Sequence, residues 1–132
     1  MDGFINSRLE RMGDDLIVKF GQNIIKLPED KANDPDLKEY INSEVVLGIR
    51  PECIHDEPMY LTQFPDSIIE CNVDVTELMG AEIYLYLSTG DTNLVARVSP
   101  RSTARSGDKI KVALDVSRMH VFDKETEKCI VH

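Results

Sequence analysis

The chain is short of positive charge and lacks any long apolar run, and each shortage removes a class of function. Lys and Arg number 15 against 24 Asp and Glu, giving a net charge of −9 and a pI near 4.7. A nucleic-acid backbone or an anionic membrane surface would be repelled by that balance. No apolar run approaches the roughly 20 residues of a membrane helix, and the opening MDGFIN has neither the basic segment nor the apolar stretch of a secretory signal. A cytosolic chain that does not insert in a bilayer is the expectation. Cysteine is scarce as well. Cys53, Cys71 and Cys129 are an odd set without C-x-x-C spacing, which neither builds a disulfide framework nor resembles a zinc site. Cys71 reads as a small core residue. Cys53 and His55 lie two apart, but no second close pair completes four ligands.

Catalytic signatures are also missing. No G-x-x-x-x-G-K-[ST] loop occurs, so ATP has no recognisable site in this chain. The serines lack a G-x-S-x-G elbow, and His55, His120 and His132 have no evident nucleophile beside them in sequence. Asp14-Asp15, Glu29-Asp30 and the acidic residues of 123–127 read as solvating charge. No catalytic, cofactor-binding or metal residue is therefore expected. Arg101 and Arg105, in the Ser/Thr-rich loop 99–106, offer two guanidinium groups to an anion, with a solvated loop as the other reading.

What the sequence does contain is strand pattern. Val45, Leu47 and Ile49 alternate with Val46, Gly48 and Arg50, and Pro51, which cannot donate a ladder hydrogen bond, stops that strand at an Arg50-Pro51-Glu52 corner. Upstream, 4–12 and 16–27 read as two or three short strands turned at Gly13-Asp14-Asp15 and Gly21-Gln22-Asn23. Residues 29–33 read as a surface loop. Asp34 caps a short helix that starts at Pro35 and presents Leu37, Tyr40 and Ile41 on one face. Residues 55–66 are rich in proline and read as an irregular connection.

Beyond it, Ile69, Cys71, Val73 and Val75 predict one strand with these four side chains inside, ending at Glu77-Leu78-Met79-Gly80. Ile83, Leu85 and Leu87 point inward on the next strand, with Tyr84 and Tyr86 outward. Gly90-Asp91 turns into Leu94, Ala96 and Val98. Gly107-Asp108 restarts the sheet with Ile110, Val112 and Leu114 inside. Residues 117–119 turn, Val121-Phe122 form a last short strand, 123–128 make a hairpin tip, and 129–131 return. Many short strands with one helix predict an all-β barrel in a single domain.

The string GIRPE at 48–52, the E-x-x-G of Glu77 and Gly80, and the H-x-F of His120 and Phe122, in this order and spacing, resemble a known family. It is the C-terminal regulatory domain, often called TOBE, of the ATP-binding subunits of bacterial sugar-import ABC transporters, and the likeness covers essentially the whole chain from FINSRL onward. It implies an OB-like antiparallel barrel of TOBE type, with two sheet halves sharing strands as a variant. It also implies an ATPase domain upstream in the parent, where ATP and Mg would bind. This chain would then hold no cofactor and no enzyme activity of its own.

The implied partners are a second copy of the subunit, a cytosolic regulatory protein and, through the parent, the permease subunits at the inner face of the cell membrane. Gly48, Arg50, Pro51, Glu52, Gly80 and His120 match family motif positions. Glu77, Gly107 and Phe122 are the expected subunit or regulator contacts. A small-ligand or oxyanion sensor is the alternative, because TOBE-like domains of molybdate transporters bind their anion, although no residues here match that site. A nucleic-acid-binding OB barrel would place Tyr84 and Tyr86 against bases, and the charge opposes it.

Overall fold

A computed structural model describes residues 3–132. Three strands open the chain, β1 Gly3–Met12, β2 Asp15–Phe20 and β3 Asn23–Lys26, followed by β4 Ser43–Ile49 and a short β5 Ile54–His55. The second half holds β6 Ile68–Met79, β7 Glu82–Thr89, β8 Thr92–Val98, β9 Lys109–Leu114, β10 His120–Asp123 and β11 Cys129–Val131. They form two sheets, in the orders β11-β10-β4-β1-β2-β3 and β5-β9-β6-β7-β8, each strand belonging to one sheet. Every pairing is antiparallel. The all-β, OB-like barrel is thus the fold, built from two sheet halves that share a core and no strand.

That core is one cluster fed by the inward faces of both sheets: Ile5, Val45, Leu47 and Val121 from the first, Ile69, Leu85, Ala96 and Val112 from the second. The alternation in β4 explains its share. Val45, Leu47 and Ile49 are each at most 1% exposed, and burying such a side chain contributes roughly 1.5–3 kcal/mol. A polar tie stitches the halves at their edges, Asn23 Nδ2 of β3 donating to Thr89 Oγ1 of β7 (3.1 Å), while within the second half Ser67 Oγ donates to the Leu114 carbonyl (2.7 Å).

Four local features differ from the sequence reading. The segment after Asp34 is a 3-10 helix, Pro35–Tyr40, although Asp34 does cap it by accepting from the Asp36 amide (2.9 Å) and Leu37 is fully buried. Instead of one helix there are two short α-helices among the described residues, α1 Glu29–Ala32 in the expected loop and α2 Pro58–Gln63 in the expected irregular connection. The prolines of the irregular connection are initiators: Pro58 and Pro65 each open a helical turn, where a missing N–H and a fixed φ cost nothing, while Pro51 ends β4 and turns the chain as its corner predicts. The expected turn near 117–119 is present as a 3-10 turn over 116–118, capped by Asp115.

The fourth difference is Val75, which is 50% exposed. The pairing of β6 with β7 shifts between Val73 and Val75, leaving Asp74 as an extra residue. Such a bulge moves every later side chain to the opposite face. Val73 exchanges backbone bonds with the turn before β9 instead, donating to Asp108 O (2.7 Å) and accepting from Gly107 N (2.8 Å). Past that point β6 pairs only with β7.

Candidate functional site

The residues singled out by the motifs fall on two outer sheet faces. On the first sheet, β4 lies between β10 and β1, and its register sets His120 and Phe4 on either side of Gly48, with Phe122 opposite Val46. Phe122 leans diagonally across the gap. A Cβ on Gly48 would lie 2.6 Å from Phe122 Cε2, a separation that real side chains do not tolerate, so the glycine is a flat seat for this ring. Phe122 then meets Phe4 edge to face, with ring centroids 5.9 Å apart, a preferred aromatic geometry. His120 lies 6.2 Å from Phe122 on the other flank. Phe4, Val46 and Phe122 line a groove of about 580 Å³, and Phe4 is 61% exposed. Two motifs that read as separate, the glycine of GIRPE and the terminal H-x-F, are thus one packed unit.

The tip between β10 and β11 is fixed by Asp123. Its Oδ1 accepts from the amides of Glu125 (2.8 Å) and Thr126 (2.9 Å), and its Oδ2 from the Tyr40 hydroxyl (2.6 Å). The Tyr40 bond, followed by the two amides, lowers the Asp123 carboxyl to about 2. The same bond raises the Tyr40 phenol to about 12. Asp123 is therefore a hub and not the solvating charge its neighbours suggested. Lys124 Nζ adds a 2.7 Å ion pair to Glu44 on β4.

On the second sheet, Glu77 stands on the outer face of β6 past the bulge, beside Tyr84 of β7, and accepts a 3.1 Å hydrogen bond from the Tyr86 hydroxyl. Arg97 of β8 pairs with Glu82 of β7 at 2.7 Å. Val75 and Met79 share this face, and Leu78, at 71% exposed, extends the opposite face beyond the core. Gly80 turns the hairpin with φ +63°, and Gly107 has φ +93° with its amide bound to Val73. The structure therefore joins Glu77 and Gly107 through one strand, while Phe122 stands on the other sheet.

The corner between the sheets holds the rest of the GIRPE motif. Pro51 is buried and starts a 3-10 turn at whose entrance Arg50 is exposed. The Glu52 carboxyl is held below the ordinary range, first by its own backbone N–H and then, against the cost of burial, by the charges of Arg97, Arg50 and Arg118. Cys53 and Cys71 are buried free thiols, and burial pushes Cys71 up to about 12. His55 stacks on Tyr60 with centroids 3.7 Å apart. In loop 99–106, Arg105 Nη1 donates to the Ala104 carbonyl (2.9 Å), and Arg101 shares a groove with Asp56 and Glu57. Those carboxylates oppose an anion there.

Sequence reasoning missed one grouping altogether. His120, Cys129 and His132 place their ligand atoms within 4.8 Å of one another. Among the described residues no helix is long and apolar enough to cross a membrane.

Two sheets around one core define an OB-like β-barrel. Residues 4–54 match the MalK OB fold domain and residues 65–121 the TOBE domain, and the chain belongs to this MalK-type OB and TOBE family. It is similar to the oligosaccharides import ATP-binding protein MsmX of Bacillus subtilis, 39% identical over 86% of this chain and 31% of that protein. It also resembles the multiple sugar-binding transport ATP-binding protein MsmK of Streptococcus mutans, 38% identical over 70% of this chain and 25% of that one. A third relative is the trehalose/maltose import ATP-binding protein MalK of Thermococcus litoralis, 30% identical over 89% and 32%. The chain thus spans about a third or less of the length of these relatives. In fold it is similar to the cytoplasmic molybdate-binding protein ModG with molybdate bound, at a TM-score of 0.64 and 12% identity, over 89% of this chain and 93% of that one.

Proposed function

We propose that this chain is the C-terminal regulatory domain of the ATP-binding subunit of a sugar-import ABC transporter, acting as one unit at the cytoplasmic face of the membrane. The reading rests on one observation: a MalK-type OB domain followed directly by a TOBE domain, aligned with sugar-import ATP-binding proteins over most of this chain. In it, ATP, Mg and hydrolysis belong to the remaining two thirds of the parent, and the chain itself supplies contacts. The exposed apolar residues beside Glu77 and around Phe122 suit surfaces that meet a second subunit or a cytosolic regulator, since apolar side chains left on a polar rim favour protein association.

The test is a chimera in which this chain replaces the matching third of MsmX. Retained oligosaccharide uptake, lost on deleting the inserted segment, is the expected outcome. A chimera that assembles with its permease and hydrolyses ATP but imports nothing would count against the reading. The likeness to ModG extends to the fold, and Arg101 and Arg105 are the groups an oxyanion would need. No calorimetric heat on adding molybdate is expected, because the acidic residues beside Arg101 repel it.

A further inference from the structure

We propose that His120, Cys129 and His132 form a three-ligand site for a borderline-soft divalent cation of the zinc class, with a fourth position open to water or to a donor from a partner. The three residues come from the β10–β11 hairpin. Val121 pairs with Val131, and the register then shifts so that Phe122 pairs with Cys129, which leaves Ile130 as the extra residue. That bulge brings Cys129 round to the side of His132, a re-aiming of side chains typical of bulges. Cys129 Sγ lies 3.5 Å from His132 Nδ1. The His120 and His132 rings meet edge on at 5.7 Å and 80°.

These spacings are those of an assembled tetrahedral set in two respects. With Zn–N near 2.0–2.1 Å and Zn–S near 2.3 Å, tetrahedral angles separate N from S by about 3.6 Å and N from N by about 3.3 Å. The Cys129–His132 pair already has that separation. All three donor atoms lie within 4.8 Å, so at most about 1.5 Å of movement, the scale of a small χ adjustment, would close the triangle. The donor types agree with the choice of ion, since thiolate and imidazole together favour zinc over magnesium or calcium, which take oxygen.

The surroundings hold the ligands in place. Lys31, itself 5% exposed, donates through Nζ to the His132 carbonyl oxygen, which fixes the backbone that carries this imidazole. His120 pairs with Gly48 of β4 at the start of β10, the strand that lies between β4 and β11. Cys129 is half-buried and in no disulfide, its thiol donating to the Val131 carbonyl at 3.3 Å and touching His132 Nδ1 at 3.5 Å, so a metal would displace those two weak contacts and one proton. His120 also flanks Phe122, so the occupied site would stiffen the first outer face.

The experiment is titration of the metal-free chain with Zn²⁺ alone, followed by Co²⁺ as a spectroscopic stand-in. Wild type should take up one ion per chain, rise in Tm, and show a thiolate-to-cobalt charge-transfer band with the intense visible bands of a tetrahedral site. Cys129→Ser should lose the charge-transfer band, and Cys129→Ser and His132→Ala should each weaken binding by about 100-fold or more, at least the effect of losing a supporting residue. Neither change touches the core, so the pair decides the matter even where His120→Ala disturbs folding. His55→Ala should bind as wild type does. No uptake by wild type, or equal uptake by wild type, Cys129→Ser and His132→Ala, overturns the proposal.

Discussion

The two outer faces of the barrel are built on opposite principles. On the first sheet the motif residues fill one another's space: Phe122 occupies the room that Gly48 leaves and closes onto Phe4. On the second they are joined by exposed polar contacts, Tyr86 to Glu77 and Arg97 to Glu82, and Val75 and Met79 stay in solvent. The difference separates two reasons for a residue to be where it is. Gly48 answers to a neighbouring ring, so the fold itself demands it. Glu77 answers to one exposed hydrogen bond, worth little to stability, so the fold leaves its identity open.

The sharpest test of that contrast begins behind the faces, where they should be alike. Leu47 lies under the first face and Leu85 under the second, both fully buried in one cluster. Leu47→Ala and Leu85→Ala should each cost about 2–5 kcal/mol in urea unfolding, with single coincident transitions by fluorescence and circular dichroism. A loss in one and not the other would break the picture of a shared core. Next comes Gly48→Ala, which drives a methyl into Phe122 and should cost about 1–3 kcal/mol by overpacking. Adding Phe122→Ala removes the clash, so the pair should be coupled by about 0.5–3 kcal/mol in a double-mutant cycle. Additive costs would mean that the two motifs are independent after all.

Why some of this was legible in sequence and some not follows from the range of the forces involved. Val45, Leu47 and Ile49 show their burial because period-two alternation is a local property of a strand. Val75 does not, because the bulge that turns it outward is imposed by Gly107 and Asp108, more than thirty residues away, bonding to Val73. Prolines were ambiguous for a similar reason: Pro58 and Pro65 break a strand or open a helical turn with the same fixed φ, and the packing around them decides which. The Gly48–Phe122 fit spans β4 and β10, and the string GIRPE carries no trace of the ring above it. Cys129 and His132 stand at a C-x-x-H spacing that is a local signal, but their meeting with His120 depends on the bulge at Ile130, which sequence spacing does not show.

A smaller effect distinguishes the two hydroxyl–carboxylate contacts. Tyr40 to Asp123 on the first sheet lowers the carboxyl to about 2 and lifts the phenol to about 12, while Tyr86 to Glu77 on the second raises the phenol and spans a longer 3.1 Å. An Asp depressed from an unfolded value near 3.9 contributes stability above that pH and loses it as pH falls toward 2. A Tyr raised from about 10 contributes below pH 10 and loses it as pH climbs through 12. Asp123→Asn should therefore flatten the fall of Tm between pH 4 and 2, and Tyr40→Phe its fall between pH 10 and 12. Tyr86→Phe should change the alkaline limb less than Tyr40→Phe does. An equal effect from the two tyrosines would erase this distinction between the faces.

The smallest expected change in stability belongs to Glu77→Lys. Its side chain is exposed and its one hydrogen bond faces solvent, so unfolding should shift by no more than about 0.5 kcal/mol. Sedimentation equilibrium over a wide concentration range then isolates what the fold does not need. If Glu77 is a contact, the charge reversal weakens a concentration-dependent dimer while circular dichroism stays that of wild type. Phe122→Ala would weaken it too, but only together with a measurable loss of stability, because its ring is also packing for Gly48 and Phe4. A dimer indifferent to Glu77→Lys and sensitive to Phe122→Ala would move the contact to the first face. A wild type monomeric at every concentration would place any subunit contact in the longer parent, where the ATPase portions raise the effective concentration of these domains.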